Sequence, residues 1–99
     1  MSLAQIAALP PGSIGGAELD DGTLETRGSP IEDTLDRRRL CGDGEFDLAG
    51  FIAAVAASGY AGPWGVEIIS AEQRARSLPA AAEMSYQGAA ALFAGPGRR

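Results

Sequence analysis

"RRRLCGDGEFDLAGFIAAVAASGYAGPWGVEII", residues 37–69, decides the fold. It passes from a basic run through a Gly-x-Gly turn into a helix, a second turn and an apolar strand. Asp47 is a credible N-cap, because its carboxylate can accept from the free amides of a first helical turn. Leu48, Phe51, Ile52 and Val55 then fall at i, i+3, i+4 and i+7, the spacing of one helix face. Gly59 fits the left-handed position that ends such a helix. Pro63 keeps the chain extended before "WGVEIIS", which is apolar on both sides except at Glu67. That pattern is the one expected of a buried parallel strand.

Working outward, Ser2 caps a short helix over Leu3–Leu9, which Pro10 and Pro11 terminate. "SIGGAEL", residues 13–19, reads as a short extended segment whose Gly pair suits close backbone packing. From Asp20 to Gly44 no apolar period persists, so the segment reads as a loop far longer than the usual strand-to-helix connection of roughly 2–6 residues. A loop of that length is either functional or disordered. Beyond the second strand, Ser77 and Pro79 announce a last helix from Ala80 to about Phe93, and "GPGRR" reads as a frayed tail. The order helix–strand–long loop–helix–strand–helix is that of right-handed βαβ units in a parallel α/β sheet. A two-stranded parallel sheet leaves edges and apolar faces open and is marginal alone. The sequence reads as a slice of something larger.

Composition bounds the chemistry. The chain has 99 residues and a net charge of −5, with all eight cations arginine and no histidine. Acidic balance argues against nucleic acid or an anionic membrane as partner. No apolar run approaches the ~18 residues of a spanning helix. The N-terminus lacks the basic start and long apolar core of a signal peptide, and the single Cys41 has no internal disulfide partner, so a reduced, cytoplasmic protein is expected. Without Lys or His, Schiff-base chemistry, Ser-His or Cys-His catalysis and His-ligated zinc are excluded within these residues. A metal here would need carboxylates, which favours hard ions. Neither Gly42–Gly44 nor "GSIGGAE" completes a phosphate-binding glycine motif.

"AELDDG", the 37–69 stretch and the helix after it together resemble the C-terminal part of the sugar phosphate isomerase/epimerase family, the xylose isomerase-like TIM barrels. The resemblance spans about residues 3–95. Family members follow a strand-seven His-x-x-Asp with a loop of the form Arg-x-x-Pro-Gly-Glu-Gly, a helix, "GY.G" and an eighth strand ending in Glu. Glu18–Asp21, Arg38–Gly44 and Trp64–Glu67 stand in those places, with Glu18 for the histidine, Cys41 for the proline and Asp43 for the glutamate. The implied fold is the C-terminal fragment of a (β/α)8 barrel. Residues 3–19 would hold a helix and strand seven, 20–46 the active-site loop, and 47–58 helix seven. Strand eight would fall at 63–69 and helix eight at 78–94.

The resemblance further implies chemistry at the carboxyl ends of the strands. Glu67 would ligate a divalent metal and serve as acid or base, and Glu18 would be a second metal ligand. Arg38 and Asp21 would bind substrate, a small sugar or polyol. The metal would be Mn or Mg, with Co or Zn as alternatives, once the rest of the barrel is supplied. Strands one to six and at least two further carboxylates lie outside the match, so the isolated chain is expected to be inactive. Its partner would be the missing N-terminal barrel portion or further copies of itself. The competing expectation is a non-catalytic α/β module that self-associates to cover its sheet. A nuclease-like relative is disfavoured by the lack of histidine and the negative charge.

Overall fold

The computed structural model describes residues 1–94; the tail expected over 95–99 lies outside the described residues. The elements run α1 (Leu3–Ala7), β1 (Ala17–Leu19), α2 (Pro30–Asp36), α3 (Leu48–Ala57), β2 (Trp64–Val66), α4 (Ala71–Arg74) and α5 (Leu78–Ala94). β1 and β2 pair in parallel, with Ala17 opposite Trp64, Glu18 opposite Gly65 and Leu19 opposite Val66. The fold is mixed α/β with a two-stranded parallel sheet.

Local chemistry sets the helix ends. Ser2 Oγ accepts from Gln5 N while Gln5 Oε1 accepts from Ser2 N, so each satisfies an amide the first turn leaves free. α3 begins at the Asp47 cap, whose side chain accepts from Gly50 N at 3.0 Å. Gly59, with φ at +95°, turns the chain out of it. α1 packs on α3 at Gly50, where an added Cβ would stand 2.9 Å from Leu3 Cδ1.

Two helices were not foreseen from apolar periodicity. α2 interrupts the segment read as continuous loop. Its signal is polar: Ser29 caps it, Pro30 fills the first turn, and Glu32 and Asp33 face the positive end of its dipole. α4 is a single turn capped by Ser70, whose hydroxyl accepts from Gln73 N at 3.0 Å. Both strands are shorter than the extended segments read from the sequence.

The reason is visible at their carboxyl ends. Past the bond from Glu67 N to Leu19 O the strands no longer bond to each other, and the 37–39 backbone fills the gap. Arg39 N donates to Asp21 O at 2.8 Å and Asp21 N to Arg39 O at 3.1 Å, while Arg38 N donates to Ile69 O at 3.2 Å. An antiparallel bridge joins Arg37 to Ser70 on the other side. The arginine run is thus a short wedge of main chain bonded to both strand extensions.

One face of the sheet builds the core. Leu19 (2% exposed) packs with Cys41, Leu48 and Ala89, and Phe46, Phe51, Ile52, Trp64, Val66, Leu92 and Phe93 close around them. Trp64 meets Phe51, Tyr60 and Phe93 edge-on, with centroids at 6.2, 5.8 and 5.3 Å. Such pairs add about 0.5–1.5 kcal/mol each beyond burial. Gly88 lets α5 approach the loop, since a Cβ there would stand 2.8 Å from Cys41 O. The opposite face carries Glu18, Gly65 and Glu67, all exposed.

Candidate active site at the strand carboxyl ends

The period-two alternation of a strand places Glu18 and Asp20 on the face opposite Leu19, and Gly65 and Glu67 on the face opposite Val66. Parallel register then sets Glu18 beside Gly65, whose missing side chain leaves room for it. The Glu18 Cγ lies 3.3 Å from where a Gly65 Cβ would be. From there Glu18 reaches Glu67, one step further along the neighbouring strand. Glu67 N is itself fixed by donation to Leu19 O at 3.1 Å. The hydrogen bond between the two carboxyl groups, and then their mutual repulsion, raise the Glu18 pKa above its ordinary value. Glu18 therefore holds a proton more readily than a free glutamate.

Asp20 sits beside this pair and links it to the loop. Desolvation raises its pKa, the Arg38 guanidinium pulls it back, and Asp21 and Glu67 push it up again. Arg38 Nε approaches Asp20 Oδ2 at 3.2 Å, its NH1 lies 3.6 Å from Asp33 Oδ2, and its NH2 donates to Thr34 Oγ1 at 3.3 Å. The guanidinium also stands over the Phe46 ring, 5.4 Å from its centroid. Arg38 is thus held on one side by aromatic carbon and on two others by carboxylates, at the edge of the Glu18–Glu67 face.

Asp21 has a different environment. It is 1% exposed, the most buried polar side chain in the described residues. Its Oδ1 accepts from Gly22 N at 2.8 Å and Phe46 N at 3.0 Å, and its Oδ2 from Gly42 N at 3.0 Å. These oxygens are committed to the backbone of the 40–46 turn, so Asp21 shapes the loop and offers no free oxygen toward the open face. Gly44 is required beside it, because a Cβ there would collide with the Asp21 carboxylate. The structure thus brings Glu18, Glu67 and Arg38 to one region and turns Asp21 away from it.

Three residues of the region were given no site role from the sequence. Asp20 bridges the acid pair to Arg38. Asp33, buried on α2, pairs with Arg37 and Arg38 and accepts from Arg27 N at 3.1 Å. That amide bond, then its arginine partners, lowers its pKa against the effect of burial. The i, i+4 spacing of Asp33 and Arg37 behind a Ser-Pro helix start was the available signal. Phe46 gave none, since only the folded loop sets it under Arg38.

No protein-family model and no curated protein matches the chain. Among solved structures it is similar to a xylose isomerase-like TIM barrel/4-hydroxyphenylpyruvate dioxygenase fusion protein, with a TM-score of 0.69 and 28% sequence identity. The likeness covers 88% of this chain and 13% of that one, so the chain spans about an eighth of its neighbour's length. Its α/β arrangement is therefore similar to part of a xylose isomerase-like TIM-barrel protein.

Proposed function

We propose that this chain supplies the C-terminal strand–helix units of a barrel that isomerises or epimerises a sugar or polyol. The observation carrying this reading is the meeting of Glu18 and Glu67 on the open face of two adjacent parallel strands, at the carboxyl ends where such barrels place their chemistry. The likeness to a xylose isomerase-like barrel supports it.

The reaction class needs a proton removed from a carbon beside a carbonyl and returned to that carbon or its neighbour, with no net change in protons. A carboxylate accepts it and a carboxyl group delivers it. Glu18, whose pKa the neighbouring Glu67 raises, is the member of the pair that holds a proton in this reading. Glu67 is the base in this reading and Glu18 the partner that keeps it oriented. Arg38, fixed by Asp20, Asp33 and Phe46, presents its remaining N–H groups to substrate hydroxyls. Asp21 positions the loop that carries Arg38 and does not itself touch substrate.

The oxygen-only donor set fits a hard divalent ion such as Mn or Mg, with Glu18 and Glu67 as the holding residues. Among the described residues no group of three or more candidate ligands is arranged to hold a metal, so further ligands would come from other units. A bound divalent ion supplies polarisation of the carbonyl. The test joins this chain to the N-terminal strand–helix units of a xylose isomerase-like barrel and follows interconversion of ketoses with Mn present. Turnover is expected, with Glu67→Gln lowering kcat by roughly 10²–10⁴-fold and Arg38→Lys acting mainly on KM. A folded graft without turnover, or a Glu67→Gln variant as active as its parent, contradicts the reading.

A further inference from the structure

Residues 23–36 form an Ω-type loop whose base is pinned and whose body is held by charge. At the base, the paired backbone bonds between Asp21 and Arg39 close the loop, and Gly22 O accepts from Glu45 N at 2.7 Å. Beyond the base, burial changes abruptly. Asp33 is the one buried residue of the segment; Thr23 is half-buried and the rest are exposed. The apolar side chains that a core would claim face solvent, with Leu24 74%, Ile31 70% and Leu35 49% exposed. Among the described residues the attachments of this segment are polar, and three arginines outside it carry most of them. Arg37 pairs with Asp33 and donates to Glu25 O at 3.2 Å and to Thr23 Oγ1 at 2.9 Å. Arg38 adds Asp33 Oδ2 at 3.6 Å and Thr34 Oγ1 at 3.3 Å. Arg74, at the end of α4, donates to Leu35 O at 2.8 Å and to Asp36 Oδ1 at 2.5 Å.

We propose that residues 23–36 are a strap that lifts and closes as one body on its pinned base, latched by Arg37, Arg38 and Arg74 while the core between α3 and α5 stays folded. A segment with few buried apolar contacts opens at a lower free energy than the core it lies on. Closing therefore rests on ion pairs. The Arg74–Asp36 pair is exposed and screened by salt, whereas Asp33 meets its arginines in a site nearly closed to water. Asp33 is the keystone. Its Oδ1 also accepts from Arg27 N at 3.1 Å, so it ties the first half of the strap to α2 and both to the arginine run. Arg37 holds Thr23, Glu25 and Asp33 at once, so these attachments are made and lost together. Opening takes Asp33 and Thr34 away from Arg38 and leaves it with Asp20 and Phe46. The strap is thus a gate at the Arg38 edge of the Glu18–Glu67 face, and it stands whether or not the chain serves an isomerase.

Native-state amide exchange of the intact chain tests this. The amides of Arg27, Asp33 and Arg37, spread along the strap, are expected to share one opening constant, roughly tenfold or more above that of α3, while Asp21 and Arg39 keep the protection of the core. Raising NaCl from about 0.05 to about 0.5 M should increase the opening of the strap about threefold and leave α3 unchanged. Asp33→Asn should raise it roughly tenfold and Arg74→Gln about threefold. Ile31→Ala should leave it unchanged, because that side chain anchors nothing. Arg74→Gln and Ile31→Ala alter exposed groups only, so the comparison survives if Asp33→Asn fails to fold. The proposal is overturned if the strap amides exchange only at the rate of α3, or if Asp21 and Arg39 open with them. It is equally overturned if the three opening constants differ from residue to residue, as fraying of α2 would give, or if Ile31→Ala loosens the segment as much as Arg74→Gln. A separate opening without sugar turnover in the barrel graft would leave the gate standing and remove the isomerase reading; turnover without a separate opening would do the reverse.

Discussion

Asp21 is the residue on which the loop turns. Its carboxylate satisfies the amides of Gly22, Gly42 and Phe46 in a space nearly closed to water. Asp21→Ala strands these donors, at about 1–3 kcal/mol for each that finds no water. Urea unfolding followed by Trp64 fluorescence is expected to show a loss of about 3 kcal/mol or more, with Asp21→Asn falling between. Asp33 adds a pH dependence of defined sign. Its pKa is lowered in the folded chain by the Arg27 amide and its arginine partners, so its stabilising effect is full above the ordinary aspartate pKa and is lost as pH falls through the lowered value. Melting followed from pH 7 down to pH 3 should show the parent losing more stability than Asp33→Asn, which starts lower and changes less. Neither role was legible in advance. "LDDG" reads as a solvated acidic turn until the 42–46 backbone folds over it, and Asp33 acquires its arginines only when the loop closes.

At the level of elements, the sequence announced those with an apolar period or a cap beside one. α3 was legible from Asp47, its apolar spacing and Gly59, and β2 from the apolar "WGVEII". The pairing of Glu18 with Glu67 was implied only by resemblance, since register across two strands is set by packing and not by local pattern. α2 was missed because its stability comes from a polar cap and an ion pair while Ile31 and Leu35 stay exposed. Ser29→Ala is therefore expected to cost α2 about 1 kcal/mol, seen as faster amide exchange over residues 32–37 with α3 unaffected. The turn at 42–46 is tighter. Gly44→Ala drives a methyl group against the Asp21 carboxylate and Gly22 O, 2.5 Å from the latter. A loss of roughly 1–3 kcal/mol in urea unfolding is expected, with larger chemical-shift changes at Gly22 and Phe46 than in α5.

The whole molecule is an open one. Its radius of gyration is 14.3 Å, against about 13 Å for a compact domain of this length. Among the described residues the buried apolar side chains are few, namely Leu19, Cys41, Leu48, Ala54, Val55 and Ala89. Burial raises the Cys41 thiol pKa to about 11, so it packs as a small apolar group and is not a reactive thiolate. One face of the sheet spends its apolar residues on α3 and α5, and the other presents acids to solvent. That division is what makes the open face a candidate barrel interior, and it rests on Glu18 and Glu67 meeting there. The direct measurement is a carbon-detected NMR titration of the Glu18 carboxyl group in the intact chain and in Glu67→Gln. The account predicts a Glu18 pKa above the ordinary glutamate value in the parent, shifted downward when the Glu67 charge is removed. A Glu18 that titrates as a free glutamate in both proteins would contradict it.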